Sequence, residues 1–263
     1  MIGKGVAGLS KLEINSVYQG DCLKLMKDIP DGSIDMILAD LPYGTTACKW
    51  DTIIPFEPLW EQYERIIKPN GAIVLTASQP FTSALVMSNP KMFRYSWVWE
   101  KQQGTNPLLS KKQPMKVHED IVVFYDKQCL YNPQMTQGTP YSGFITGKSK
   151  TTGDVMGNAK SIHRDNPSGT RYPRSVQKFN TPRIKGGHPT QKPVALFEYL
   201  IKTYTNEGDL VLDNVAGSGT TGVSCQNLNR NFILMEQEPE YVEVMKKRLE
   251  LNKEQLTKLE VEL

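Results

Sequence analysis

A glycine-rich turn lies so close to the C-terminal end of the sequence that only 41 residues come after Gly222, which restricts the possible folds sharply. The stretch DNVAGSGTTG, residues 213–222, sets Gly217-x-Gly219-x-x-Gly222 between an apolar run and a helical pattern, with Glu236 ending the next apolar run. Glycines in such a turn let the backbone approach a ligand, and an acid at the following strand end can hold ribose hydroxyls. The stretch therefore predicts an adenosine-type cofactor. The chain beyond the turn has room for one helix, one strand and one more helix, so the other strands must come from upstream. A nicotinamide enzyme normally begins its nucleotide domain with this turn and needs far more chain after it.

Upstream sequence supplies those strands. Residues 16–21, 34–40, 72–77, 95–101 and 119–126 read as strands, as do 210–215 and 232–237 beyond a long interruption. Helical patterns cover 22–29, 56–68, 79–88, 193–204, 220–229 and 239–259, the second stopping at Pro69-Asn70-Gly71. Apolar strands alternating with helices predict an α/β fold with a mostly parallel, Rossmann-like sheet covered on both faces. The alternation lapses over 127–187, which holds ten Lys and Arg against two acids, net +8 in a chain of net +3, with eight glycines and five prolines. This segment reads as a loop-rich basic insert without regular structure, and its charge predicts a polyanion-binding surface.

No stretch approaches the roughly 18 apolar residues of a membrane span, and the N-terminus lacks the apolar core of a signal peptide, so a cytoplasmic protein is expected. Cys22, Cys48, Cys129 and Cys225 are widely spaced and only three histidines are present, which predicts free thiols and no metal site.

The strand at 34–40 ends on Asp40, and Leu41, Pro42 and Tyr43 come directly after it in DLPYGTTACKWD. Taken with HPTQKPVALFEYLIKTYTNEGDLVLDNVAGSGTTG, residues 188–222, this resembles the beta class of DNA amino-methyltransferases, most nearly phage and prophage members, over roughly 15–126 and 188–250. That class has a circularly permuted motif order, with the catalytic motif first and the S-adenosylmethionine loop last. The resemblance implies a catalytic half at 15–126, a target-recognition insert at 127–187 and an S-adenosylmethionine-binding half at 188–255. Leu41 replaces the usual second-position proline, and Asp213-Asn214-Val215 stands where Asp-Pro-Phe is usual.

Methylating an exocyclic base amine requires turning a lone pair out of conjugation with the ring. The Asp40 carboxylate and the Leu41 carbonyl would accept hydrogen bonds from that amine, Pro42 would fix the turn, and Tyr43 would stack on an extruded base. The resemblance further implies that Gly217 and Gly219, with Ser218 and Thr220, bring N–H groups to the methionine moiety, and that Asp213 meets its amino group. It puts Glu236 on the ribose, Asp21 on the adenine amine, and Thr190 and Lys192 at the methionine end. Lys148, Lys150, Arg164, Arg171, Arg174, Lys178 and Arg183 are the expected contacts to double-stranded DNA.

The target expected from Asp40 is the N6 amine of adenine. Cytosine-N4 methylation is the alternative, for which the class usually has Ser at that position. Protein-glutamine methylation usually has Asn there, a nicotinamide oxidoreductase leaves DLPY unexplained, and a non-catalytic DNA-binding module would need only the insert. Val242, Met245, Leu249, Leu256 and Leu259 form an apolar stripe whose first half should pack on the sheet and whose end would be covered in a homodimer.

Overall fold

Val, Ile, Leu and Met dominate the central strands of the computed structural model, which describes residues 12–46, 48, 51–145, 162–181 and 191–261. In chain order the strands are β1 (Ser16–Gln19), β2 (Ile34–Ala39), β3 (Ile67–Ala77), β4 (Phe93–Thr105), β5 (Lys116–Phe124) and β6 (Thr136–Gln137). They continue as β7 (Tyr141–Ile145), β8 (Ile162–Asn166), β9 (Thr170–Arg171), β10 (Val176–Lys178), β11 (Leu210–Asp213) and β12 (Asn231–Glu236). Eight of them form one sheet in the order β1-β12-β11-β2-β3-β5-β4-β10. The first five run parallel, β5 is antiparallel to both neighbours, and β10 is parallel to β4.

The helices are α1 (Cys22–Leu25), α2 (Phe56–Ile66), α3 (Phe81–Ser88), α4 (Val194–Tyr204), α5 (Thr220–Asn227) and α6 (Pro239–Val261). Alternate residues of one strand face opposite ways, so β2 sends Ile37 and Ala39 into one core and Met36 and Leu38 into the other. The first core packs Leu59, Tyr63 and Ile66 of α2, and the second packs Leu196, Leu200 and Ile201 of α4. The expected sheet, covered on both faces, is the one observed.

Two local expectations are corrected. Residues 67–71 do not form a free turn after α2: Ile67 already pairs with Ile34, the register shifts, and Ala72 pairs with Met36. Within that irregularity Gly71 passes so close to the Asp35 carbonyl that a Cβ would sit 2.8 Å from it. The insert is also not devoid of regular structure. Pro133–Arg174 forms a smaller compact unit, and residues 127–132 and 175–181 belong to the unit that holds the main sheet. Inside that unit β6 pairs with β9 and β7 with β8. Strands of two and five residues are too short to show a period that can be read from sequence.

Of the stripe on α6, Val242, Met245 and Leu249 are buried, while Leu259 is 58% exposed. Leu249→Ala should therefore cost about 2–5 kcal/mol of unfolding free energy and Leu259→Ala less than about 0.5, measured by urea denaturation.

Candidate active site

Four neighbouring parallel strands, β1-β12-β11-β2, each bring an acid to the same edge of the sheet: Asp21, Glu236, Asp213 and Asp40. β11 and β2 are adjacent, and the chain proceeds from them in opposite directions, to β12 on one side and β3 on the other. Such a reversal opens a crevice beyond the carboxyl ends of the strands. The crevice here is a cavity of about 960 Å³ lined by all four acids together with Leu41, Pro42, Tyr43 and Lys192.

On the glycine-loop side, Asp21 caps α1, its Oδ1 accepting from the Leu23 N–H at 2.9 Å. Glu236 holds the loop itself, Oε2 accepting from the Gly217 N–H at 2.8 Å and Oε1 from the N–H groups of Gln237 and Glu238. Gly217 has φ +51° and its Cβ position is open, so any side chain there would enter free space. Gly219 differs from expectation. Its N–H donates to the Ala216 carbonyl at 2.8 Å, and a Cβ would lie 2.4 Å from Met245 Cγ, so this glycine is required by the packing of α6. Ser218 and Thr220 line the cavity, and Arg248 of α6 donates to the Ser218 carbonyl at 3.0 Å and to Thr220 Oγ1 at 3.1 Å.

Asp213 is almost wholly buried. Its oxygens accept from the Thr221 hydroxyl and from the Val215 N–H at 3.1 Å, and no cation pairs with it among the described residues. Burial, outweighing those hydrogen bonds, pushes its pKa from 3.8 to about 7. A buried carboxylate in this condition fits an incoming ammonium group. Asn214, which replaces the usual proline, accepts from the Tyr63 hydroxyl at 2.6 Å.

On the other side, Asp40 Oδ1 accepts from the Tyr43 hydroxyl at 2.8 Å and from the Thr76 hydroxyl. Burial, then the charges of Asp40 and Glu119, hold the Tyr43 phenol well above its usual 10.0, so it remains a donor. Its ring stacks on Phe81, with centroids 5.2 Å apart. Leu41 lines the cavity while its side chain lies in the core at 3% exposure, so packing stands in for the missing proline ring. Asp51 fastens the loop after Tyr43, accepting from the N–H groups of Gly44, Thr45 and Thr46 at 2.8, 2.9 and 2.6 Å. Burial acts to raise its pKa, but these bonds and the Thr46 hydroxyl outweigh it and hold it below 3.8.

Lys192, expected at the methionine end, lines the cavity and is engaged by carboxylates there. Its Nζ lies 2.7 Å from Asp40 Oδ2 and 3.2 Å from Glu119 Oε2, and Glu119 Oε1 bonds Lys101. Burial opposes the Lys192 charge, but the two carboxylates outweigh it and raise its pKa above 10.5. Thr76, Glu119 and Lys101 join the site with no motif to mark them. Thr190, Lys148, Lys150 and Arg183 lie outside the described residues. Arg164 is in β8, Arg174 is exposed, and Lys178 of β10 pairs with Glu100 at 3.5 Å. Arg171 is occupied within its own unit, donating to the carbonyls of Gly169, Thr170 and Thr139 and lying over the Tyr141 ring at 4.8 Å.

The sequence profile of a DNA methylase family, the N6/N4 methyltransferases, matches residues 34–247. The Type II methyltransferase M.HpaI of Haemophilus parainfluenzae is 29% identical over 243 residues, spanning 88% of this chain and 72% of its own. The DNA adenine methyltransferase YhdJ of Escherichia coli (strain K12) is 28% identical over 263 residues, 91% and 84% of the two chains. Among solved structures, the M1.HpyAVI complex with SAM aligns with a TM-score of 0.62 at 26% identity, covering 89% of this chain and 98% of that one. The cytosine-N4-specific PvuII DNA methyltransferase shares the fold, with a TM-score of 0.61 at 17% identity over 88% and 84% of the two chains. The profile spans most of the sequence, from β2 into α6, and the chain belongs to this DNA methylase family.

Proposed function

We propose that this DNA methyltransferase transfers the methyl group of S-adenosylmethionine to the N6 amine of an adenine extruded from double-stranded DNA, at a specific sequence and in the cytoplasm. The observation that carries this reading is Asp40, a carboxylate with one oxygen taken by two hydroxyls and the other directed to Lys192, in the cavity that the cofactor acids also line. An aspartate at this position, and the likeness to an enzyme named as an adenine methyltransferase, favour adenine over cytosine.

S-adenosylmethionine, when bound, supplies a methyl group made electrophilic by a sulfonium. Gly217 leaves room beside the loop, Glu236 and Asp21 offer acceptors for the ribose and the adenine amine, and Asp213 offers its charge to the methionine ammonium. Asp40 Oδ2 and the Leu41 carbonyl accept the N–H groups of the target amine, which turns its lone pair out of the base plane. The nitrogen that receives the methyl group gains positive charge and sheds one proton, for which Asp40 is the adjacent acceptor. Tyr43 braces Asp40 through its hydroxyl and offers the base an aromatic edge.

Asp40→Ala should reduce methyl transfer to unmethylated genomic DNA by at least about tenfold while leaving cofactor affinity within a few-fold. Residual activity above that level in a tritiated-methyl assay would contradict the role given to Asp40. Asp213 gives a pH signature. Its folded-state pKa of about 7 exceeds the unfolded value near 3.8, so the folded protein holds a proton that ammonium binding expels. Cofactor affinity should rise as pH increases toward 7, by up to about tenfold per unit, and level off above it. Stability of the cofactor-free protein should run oppositely, declining over the same window. In Asp213→Asn both slopes should flatten, as read by calorimetry and thermal unfolding.

DNA contact by the basic segment is tested by replacing Arg164, Arg174 and Lys178 together with alanine. The slope of log affinity against log salt should become shallower by roughly 0.9 for each phosphate contact removed, and an unchanged slope would leave the segment without that role.

A further inference from the structure

Lys192 is shared between two carboxylates, and only one of them belongs to the catalytic motif. Asp40 arrives from the end of β2, Glu119 from β5, Lys101 from β4 and Lys192 from the turn before α4. The four charges alternate in sign along the path Asp40, Lys192, Glu119, Lys101, and they sum to zero. All four lie at or near the cavity, yet the Lys192, Glu119 and Lys101 side chains are only 8%, 13% and 12% exposed. Charges so poorly hydrated are sensitive to the loss of any one member.

Occupancy of the Asp40 oxygens is unequal. Oδ1 already accepts two hydroxyl donors, whereas among the described residues Oδ2 meets Lys192 alone, so an incoming amine must bind at the oxygen that Lys192 holds. A second acceptor is in place. Glu119 Oε2 is buried and lies 3.2 Å from Lys192 Nζ, with no closer donor among the described residues. Such an oxygen gains from any donor that turns toward it.

We infer that Glu119 is a positioning residue for methyl transfer: it takes up the Lys192 ammonium when the target amine binds Asp40 Oδ2, and it balances that ammonium's charge beside a nitrogen that becomes cationic. Lys101 neutralises Glu119 from its far side and holds its Oε1, leaving Oε2 for Lys192. The inference rests on the reading of Asp40 as the acceptor for the amine.

Glu119→Gln keeps the shape and an acceptor for Lys101 but removes the charge, leaving Lys192 with Asp40 as its only anion. We expect kcat to fall by at least about tenfold with KM for cofactor and DNA within about threefold, and Glu119→Asp to recover part of the loss. In a Lys192→Met background the same substitution should change kcat by less than about twofold, because no ammonium remains to be shared. Without DNA or cofactor, Glu119→Gln should lower the Tm of the wild-type chain, where Lys192 and Lys101 both lose a buried anion, by more than that of Lys192→Met, where only Lys101 does. A kcat for Glu119→Gln within about twofold of wild type would overturn the inference, as would equal Tm losses in both backgrounds. Wild-type protein that methylates neither adenine nor cytosine amines would instead refute the reading on which the inference rests. If Glu119→Gln does not fold, Glu119→Asp decides the matter by the same kcat and KM comparison.

Discussion

Parallel strands all point their carboxyl ends one way, and this constraint organises the whole site. Four strands laid side by side bring Asp21, Glu236, Asp213 and Asp40 to one edge although they are far apart in sequence. Each acid is then given a different environment. Asp21 and Glu236 are engaged by backbone N–H groups, Asp213 is buried with no cation paired to it among the described residues, and Asp40 is supported by two hydroxyls and one ammonium. Environment rather than residue type separates the group suited to meeting a cation from the group suited to orienting an amine.

Connections around the cavity are held by polar contacts with the backbone. Asp51 gathers three successive N–H groups of the loop after Tyr43, and Glu236 gathers N–H groups from the turns that follow β11 and β12. Gln102 bonds Thr181 through both ends of its amide, at 2.6 and 3.1 Å, fixing the chain just beyond β10. A cavity wall made of loops needs such fastenings, because loops lack the ladder bonds that hold strands.

Much of this arrangement is legible in the sequence, and the parts that are not share a cause. Strand and helix segments, the glycine turn and the acids at strand ends each leave a local pattern, so Glu236 can be singled out from spacing, while the roles expected of Asp40 and Asp213 come with the family resemblance. Gly219 receives the wrong emphasis because a glycine pattern does not say which side of the turn is crowded, and here it is the Met245 side. Thr76, Lys101 and Glu119 leave no local pattern at all. They reach Asp40 and Lys192 only through the sheet, Lys101 and Glu119 by the antiparallel pairing of β4 with β5 and Thr76 by the pairing of β3 with β2. The short ladders of the smaller unit escape for a different reason: strands of two and five residues are too short to show a period.

The pairing of β1 with β12 has a consequence for how the molecule comes into being. Ser16 lies beside Ile233 and Gln19 beside Glu236, so the first strand of the sheet waits for the last one. β12 in turn needs β11 on its other side, which itself rests on β2. During synthesis, β1 and Asp21 emerge well before β12 and have no partner strand on that side until it follows. Loop closure over such a span is slow, and the open edge of β2 is exposed meanwhile. The half of the cavity proposed for the adenosine end of the cofactor is thus completed late, and a nascent chain stalled before β12 would carry Asp40 without Glu236.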